Sequence, residues 1–178
     1  MKNISIIFSK ASTFFPIFSW LIMLTERTPY SHVAMKVQDV QTGITLYYQA
    51  SHTMVNTMSE DQFLAQESIV YSFDFGVDDN VAIAIRRFVQ INMGIPYGKL
   101  AILGLTYVQF LKLFKINIKN PFKTVGKEYV CSQFIGATVE KATNITLPVD
   151  VNDLTPVMFY PIVENLPKIW LGNKNVTI

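Results

Sequence analysis

Over the first third of the chain the apolar positions follow two different periods. Residues 4–8 form a short apolar run that predicts a buried strand. Ser12 or Thr13 followed by Pro16 then opens a helix to about Leu24, because proline's missing N–H is tolerated in a first helical turn. The Thr28-Pro29 pair ends that unit. From 32 to 38 the side chains alternate, Val33, Met35 and Val37 on one face and His32, Ala34 and Lys36 on the other, as in a half-exposed strand. A turn at 39–43 leads to residues 44–50, where Ile44, Leu46 and Tyr48 oppose Thr45, Tyr47 and Gln49. The two runs make a hairpin, and a hairpin implies an antiparallel sheet.

Further along, Ser59-Glu60-Asp61-Gln62 has the spacing of a capping box and predicts a short helix, after which residues 69–75 add a strand. Asp78 and Asp79 can cap a helix whose positions Val81, Ile85, Phe88 and Val89 share a face, with Gly94 suited to its left-handed end. A second helix begins after Pro96-Tyr97-Gly98, and Asn120-Pro121 marks an irregular loop in a lysine-rich stretch. Residues 131–142 have helical composition, and Leu147-Pro148 opens a proline-containing tail with an apolar segment at 157–163.

The length of 178 residues fits one domain spanning 1–178, and 50% hydrophobic against 16% charged residues excludes disorder. A formal charge of +2 is too weak a field to imply nucleic acid as a partner. One cysteine and two histidines exclude a disulfide framework and a Cys-rich zinc site, and Asp78, Asp79, Asp150 and Asp153 lack metal-loop spacing, so no metal or cofactor is expected. The apolar stretches at 14–24 and 100–114 fall short of the ~20 residues that span a bilayer, and no Ala-x-Ala site follows the first. These features predict a chain without a removed leader, cytoplasmic in the cell that makes it. The lysines from 112 to 127 fit a solvated face, with anionic lipid or cell-wall polymer as the alternative partner.

Cys131 falls at the first turn of its predicted helix, where unpaired N–H groups and the helix dipole favour a thiolate, the nucleophilic form. The alternative is a small buried hydrophobe. His32 opens the alternating strand, from which its ring can project toward a helix packed across the sheet and pair with the thiol. A histidine at a strand start is otherwise structural. Gln49, on the polar side of the next strand, can reach back to the ring and fix its tautomer, or can be an ordinary exposed glutamine. His52 is its rival for that third role, although alternation puts it on the opposite side unless a bulge intervenes.

In order and local motif the chain resembles the circularly permuted branch of the NlpC-type papain-fold cysteine hydrolases, which includes the lecithin retinol acyltransferase group. The matching pieces are Ser31-His32-Val33-Ala34 at a strand start, Gln49-Ala50 on the following strand, Gly94-Ile95-Pro96-Tyr97, and Tyr129-Val130-Cys131-Ser132 before a helix, over residues 4–154. Two details depart from the pattern: Gln49 stands where the family commonly has Glu or His, and Val130 separates the tyrosine from the cysteine. The resemblance implies an α+β permuted papain-like fold, an antiparallel sheet packed against helices, with the nucleophile at a helix N-terminus. It further implies covalent catalysis: His32 takes the proton from Cys131, the thiolate attacks an acyl carbon, and water or another acceptor resolves the thioester. The oxyanion would be held by the backbone N–H of Cys131 and a neighbouring donor. Implied substrates are a peptide, a peptidoglycan-like amide or an acyl lipid, the last with contact to a membrane surface. An idle binding module of the same fold is the remaining reading.

Overall fold

The computed structural model describes residues 2–12, 22–24, 26–38, 42–51, 53–113, 115, 116, 118 and 127–172. Its centre is a five-stranded sheet of β1 (Lys2–Ala11), β2 (His32–Gln38), β3 (Thr45–Ser51), β4 (Met54–Ser59) and β5 (Glu67–Val77), in the order β4-β3-β2-β1-β5. Every neighbouring pair is antiparallel, so the architecture is α+β. The helices are α1 (Glu60–Gln66), α2 (Asp79–Asn92), α3 (Lys99–Leu113), α4 (Cys131–Thr143) and α5 (Pro156–Gly172), with a 3-10 turn at Val151–Asp153.

Alternation sorts the strand residues onto two faces. Ile4, Ile6, Phe8, Val33, Met35, Val37, Tyr48 and Ala50 form the larger core with residues from α2, α4 and α5. On the opposite face Ile7, Ala34 and Tyr47 pack on Phe63 of α1, whose ring stacks on Tyr47 at 4.1 Å between centroids. The strand at 32–38 is therefore central and covered on both faces, not half exposed, because a capping box at Ser59 starts α1 so that it lies over the polar-side residues. The hydrogen bonds of that box, Ser59 Oγ to the Gln62 N–H and Gln62 Oε1 to the Ser59 N–H, are both present.

Three elements differ from the sequence reading. No strand is predicted at 54–59, yet β4 runs there as an edge strand whose half-exposed Asn56, Thr57 and Met58 leave no apolar period to read. The strand predicted at 69–75 exists as β5, longer at both ends, and it lies at the sheet edge beyond β1. The proline-containing tail becomes α5, where Pro156 occupies the first position and Phe159, Ile162, Val163 and Leu166 enter the core at helical spacing. Most of the helix predicted at 12–24 and the loop at 120–121 lie outside the described residues.

Gly94 has φ +79°, the left-handed turn expected after α2, and it sends the chain into an extended segment. That segment is stitched to β4 by Val55 N–H to Ile95 O at 2.8 Å and by Tyr97 N–H to Thr53 O at 2.8 Å. It also meets the residues before α4, through Tyr129 N–H to Pro96 O at 3.1 Å and Gly98 N–H to Tyr129 O at 3.0 Å.

Candidate active site

The start of β2 is fixed from both sides. Tyr30 packs edge-on against Phe8 at 5.0 Å and stacks on Tyr160 at 5.7 Å, while the Ser31 N–H donates to Ser9 O at 3.0 Å. His32 then stands opposite Ser9 in the ladder between β1 and β2, with 7% of its surface exposed. By alternation its ring projects on the face that carries Ala34, and Gln49 shares that face on β3 beside Tyr47.

The two side chains meet. The Nε2–H of His32 donates to Gln49 Oε1 at 2.7 Å, since a carboxamide oxygen only accepts. The Gln49 amide is itself oriented, its Nε2 donating to Met58 Sδ at 3.1 Å. Gln49 is thus buried, not an exposed glutamine. Its rival, His52, lies outside the described residues.

Cys131 is the first residue of α4 and fully buried. Three contacts lock this helix start in place. Ser132 Oγ donates to Leu154 O at 2.6 Å, Gln133 Nε2 donates to Asn152 O at 2.7 Å, and Gln133 Oε1 accepts the Val130 N–H at 3.3 Å. One turn on, Gly136 lets the 3-10 region approach: a Cβ there would lie 2.6 Å from Leu154 Cδ2. Phe134, Ile135 and Val139 join the larger core, whereas Cys131 belongs to a separate cluster with Ile22, Ala101, Ile102 and Val130.

The Cys131 sulfur lies close enough to the His32 ring to act on its proton affinity. With Nε2 given to Gln49, the nitrogen that faces the sulfur is Nδ1. An imidazole and an amide from β2 and β3 are therefore in contact, with the thiol from α4 acting on the same ring. A fourth group, Tyr97, enters the sequence reading only within the Gly94-Ile95-Pro96-Tyr97 segment, with no chemical role of its own. Its side chain packs against the cluster that holds Cys131, and its proton affinity responds to the same sulfur. The sequence signal was its place in Gly94-Ile95-Pro96-Tyr97, but nothing in composition or period shows that this segment bonds to the residues just before Cys131.

The electrostatics follow from these contacts. Burial opposes charge on the His32 ring, but the hydrogen bond and charge of the Cys131 sulfur, then the charge of Glu67 and the bond to Gln49, push its pKa up from 6.5 to about 9. Tyr97 is held well above the ordinary phenol value by burial, by the charge and hydrogen bond of Cys131, and by Glu67. It therefore remains a proton donor.

Among the described residues no cluster of His, Cys, Asp or Glu is arranged to hold a metal ion, and no helix is long and apolar enough to cross a membrane. No family model matches the chain, and no curated protein matches it.

Proposed function

We propose that the chain is a thiol-dependent hydrolase or acyltransferase of the permuted papain-like kind, with Cys131 as nucleophile, His32 as base and acid, and Gln49 as the group that orients the ring. The observation that carries this reading is the buried His32 ring, hydrogen-bonded to Gln49 and raised in proton affinity by the neighbouring Cys131 sulfur. An arrangement of this kind is expensive to bury unless it is used, and each of its members is buried with its partners in contact.

The chemistry runs in two halves. The thiolate adds to the carbonyl carbon of an amide or ester, and the oxyanion takes hydrogen bonds from the Tyr97 hydroxyl and the backbone N–H of Cys131. As the tetrahedral adduct collapses, the bond to the leaving nitrogen or oxygen breaks and His32 Nδ1–H delivers its proton to that atom. The thioester then meets water or another acceptor, whose proton goes to His32 while its oxygen or nitrogen attacks. Collapse of the second adduct releases the acyl product and restores the pair. Gln49 holds Nε2–H throughout, so Nδ1 stays aimed at the sulfur.

A lipid-borne acyl substrate is favoured over a peptide by one surface. On α3, Leu100, Leu103 and Tyr107 lie on one stripe at 55%, 44% and 51% exposure, while the buried side of the same helix supplies Ala101 and Ile102 to the cluster around Cys131. Between Asp79 and Glu128 the chain holds Arg86, Arg87 and lysines 99, 112, 115, 119, 123 and 127, with no acidic residue. Exposed aliphatic side chains flanked by cations suit an anionic lipid surface.

The deciding experiment incubates the full chain with p-nitrophenyl acetate and follows intact mass and peptide maps. An acyl group on Cys131, released by hydroxylamine and formed far more slowly in His32→Ala, supports the reading. Acylation elsewhere, or none, overturns it and leaves an idle binding module.

A further inference from the structure

Glu67 is a buried carboxylate at the first position of β5, 8% exposed. Its Oε2 accepts from Ser9 Oγ at 2.9 Å, and Ser9 is completely buried. In the β1 and β2 ladder Ser9 is the residue directly opposite His32. Side chains on directly opposite residues of an antiparallel pair lie about 5 Å apart at Cβ, so the carboxylate is one hydrogen bond beyond the ring's nearest cross-strand neighbour. A register shift between Phe8 and Ser9 turns β5 locally so that Glu67 pairs with Ala11 at this end of the sheet. Among the described residues no lysine or arginine pairs with Glu67.

A buried carboxylate without a cation is costly unless some other group uses its charge. Among the described residues the groups that act on the His32 ring are Cys131 from α4, Gln49 from β3 and Glu67 from β5, and Cys131 and Glu67 act on Tyr97 as well. Gln49 is neutral: it orients the ring and cannot balance a positive charge on it. Glu67 is the one acid among these neighbours.

We propose that Glu67, held by Ser9, is a positioning residue that supplies the fixed negative charge for the His32 imidazolium, a task that Gln49 cannot perform. This rests on the reading of Cys131 and His32 as a catalytic pair. Orientation and charge, which a single carboxylate would combine, are here divided between two strands on either side of β2. Because Glu67 acts on the ring through space and touches no reacting atom, its loss should shift a pH profile more than it lowers the maximal rate.

The test is the titration of the His32 ring by NMR in the whole chain, together with the pH profile of Cys131 alkylation by iodoacetamide. Glu67→Gln keeps an acceptor for Ser9 and removes the charge. The ring's midpoint should fall by about one pH unit and the alkylation profile should move with it. Ser9→Ala, which frees the carboxylate, should move the midpoint the same way by less, and serves if Glu67→Gln fails to fold. An unchanged ring midpoint in a folded variant overturns the proposal. If Cys131 accepts no acyl group in the unaltered protein, the catalytic reading falls, and the ring titration still decides separately whether Glu67 sets the charge on His32.

Discussion

His32 and Gln49 are joined by a 2.7 Å hydrogen bond from ring Nε2 to amide oxygen, and this bond decides which nitrogen faces Cys131. The ring's proton affinity then depends on the sulfur. In the unaltered protein the imidazolium should persist up to about pH 9. Cys131→Ala removes the sulfur that raises the ring's proton affinity while burial still opposes the charge, so the ring midpoint should drop by about one unit or more. A histidine NMR titration of the two proteins checks this, and equal midpoints would show that the sulfur does not hold the proton on the ring.

Gln49→Ala should cut turnover about tenfold or more, less than loss of Cys131 or His32, because a neutral amide orients the ring without supplying charge. His52→Ala measured beside it should leave turnover unchanged. The opposite pattern would transfer the third role to His52.

Gly136→Ala places a methyl 2.6 Å from Leu154 Cδ2 and 3.3 Å from Leu147 Cδ1, both in the core. Over-packing there should cost about 1–3 kcal/mol, read as a lowered midpoint in urea unfolding. Leu154 O also receives the Ser132 hydroxyl, so the damage should reach the site, with slower Cys131 acylation in the fraction that remains folded. A variant as stable as its parent would mean that Leu154 moves aside freely.

If α3 meets lipid, the chain should sediment with vesicles containing phosphatidylglycerol and much less with pure phosphatidylcholine, and added salt should weaken binding. Leu103→Asp should abolish it without changing acylation of Cys131 by the soluble ester. Binding that ignores both lipid charge and this substitution would remove the argument for a lipid-borne substrate.

The elements with a clean local signal were legible in the sequence: the alternation at 32–38 gave both bounds of β2, and the capping box at 59–62 gave the start of α1. So were the contact of His32 with Gln49 and the place of Cys131 at a helix start, since each residue has a position in its element that limits where it points. What the sequence hid depends on the meeting of distant segments. Tyr97 reaches the sulfur because Tyr129 and Pro96 share a backbone bond, and Glu67 lies near the ring because β5 pairs with β1 across an intervening hairpin and helix. β4 was hidden for another reason, its half-exposed residues carrying no apolar signal.

The strand order also sets when Cys131 and His32 can meet. β1 is synthesised first yet sits inside the sheet, and its second partner is not made until residues 67–77 have appeared. Pairings so far apart in the chain close slowly, because the loop entropy must be overcome before any contact forms. Cys131 comes later still, after both strands and the tyrosine segment that attend it. In refolding or on the ribosome, the sulfur can meet the ring only after the strands of the sheet have paired, so the pocket around His32 exists before Cys131 arrives in it.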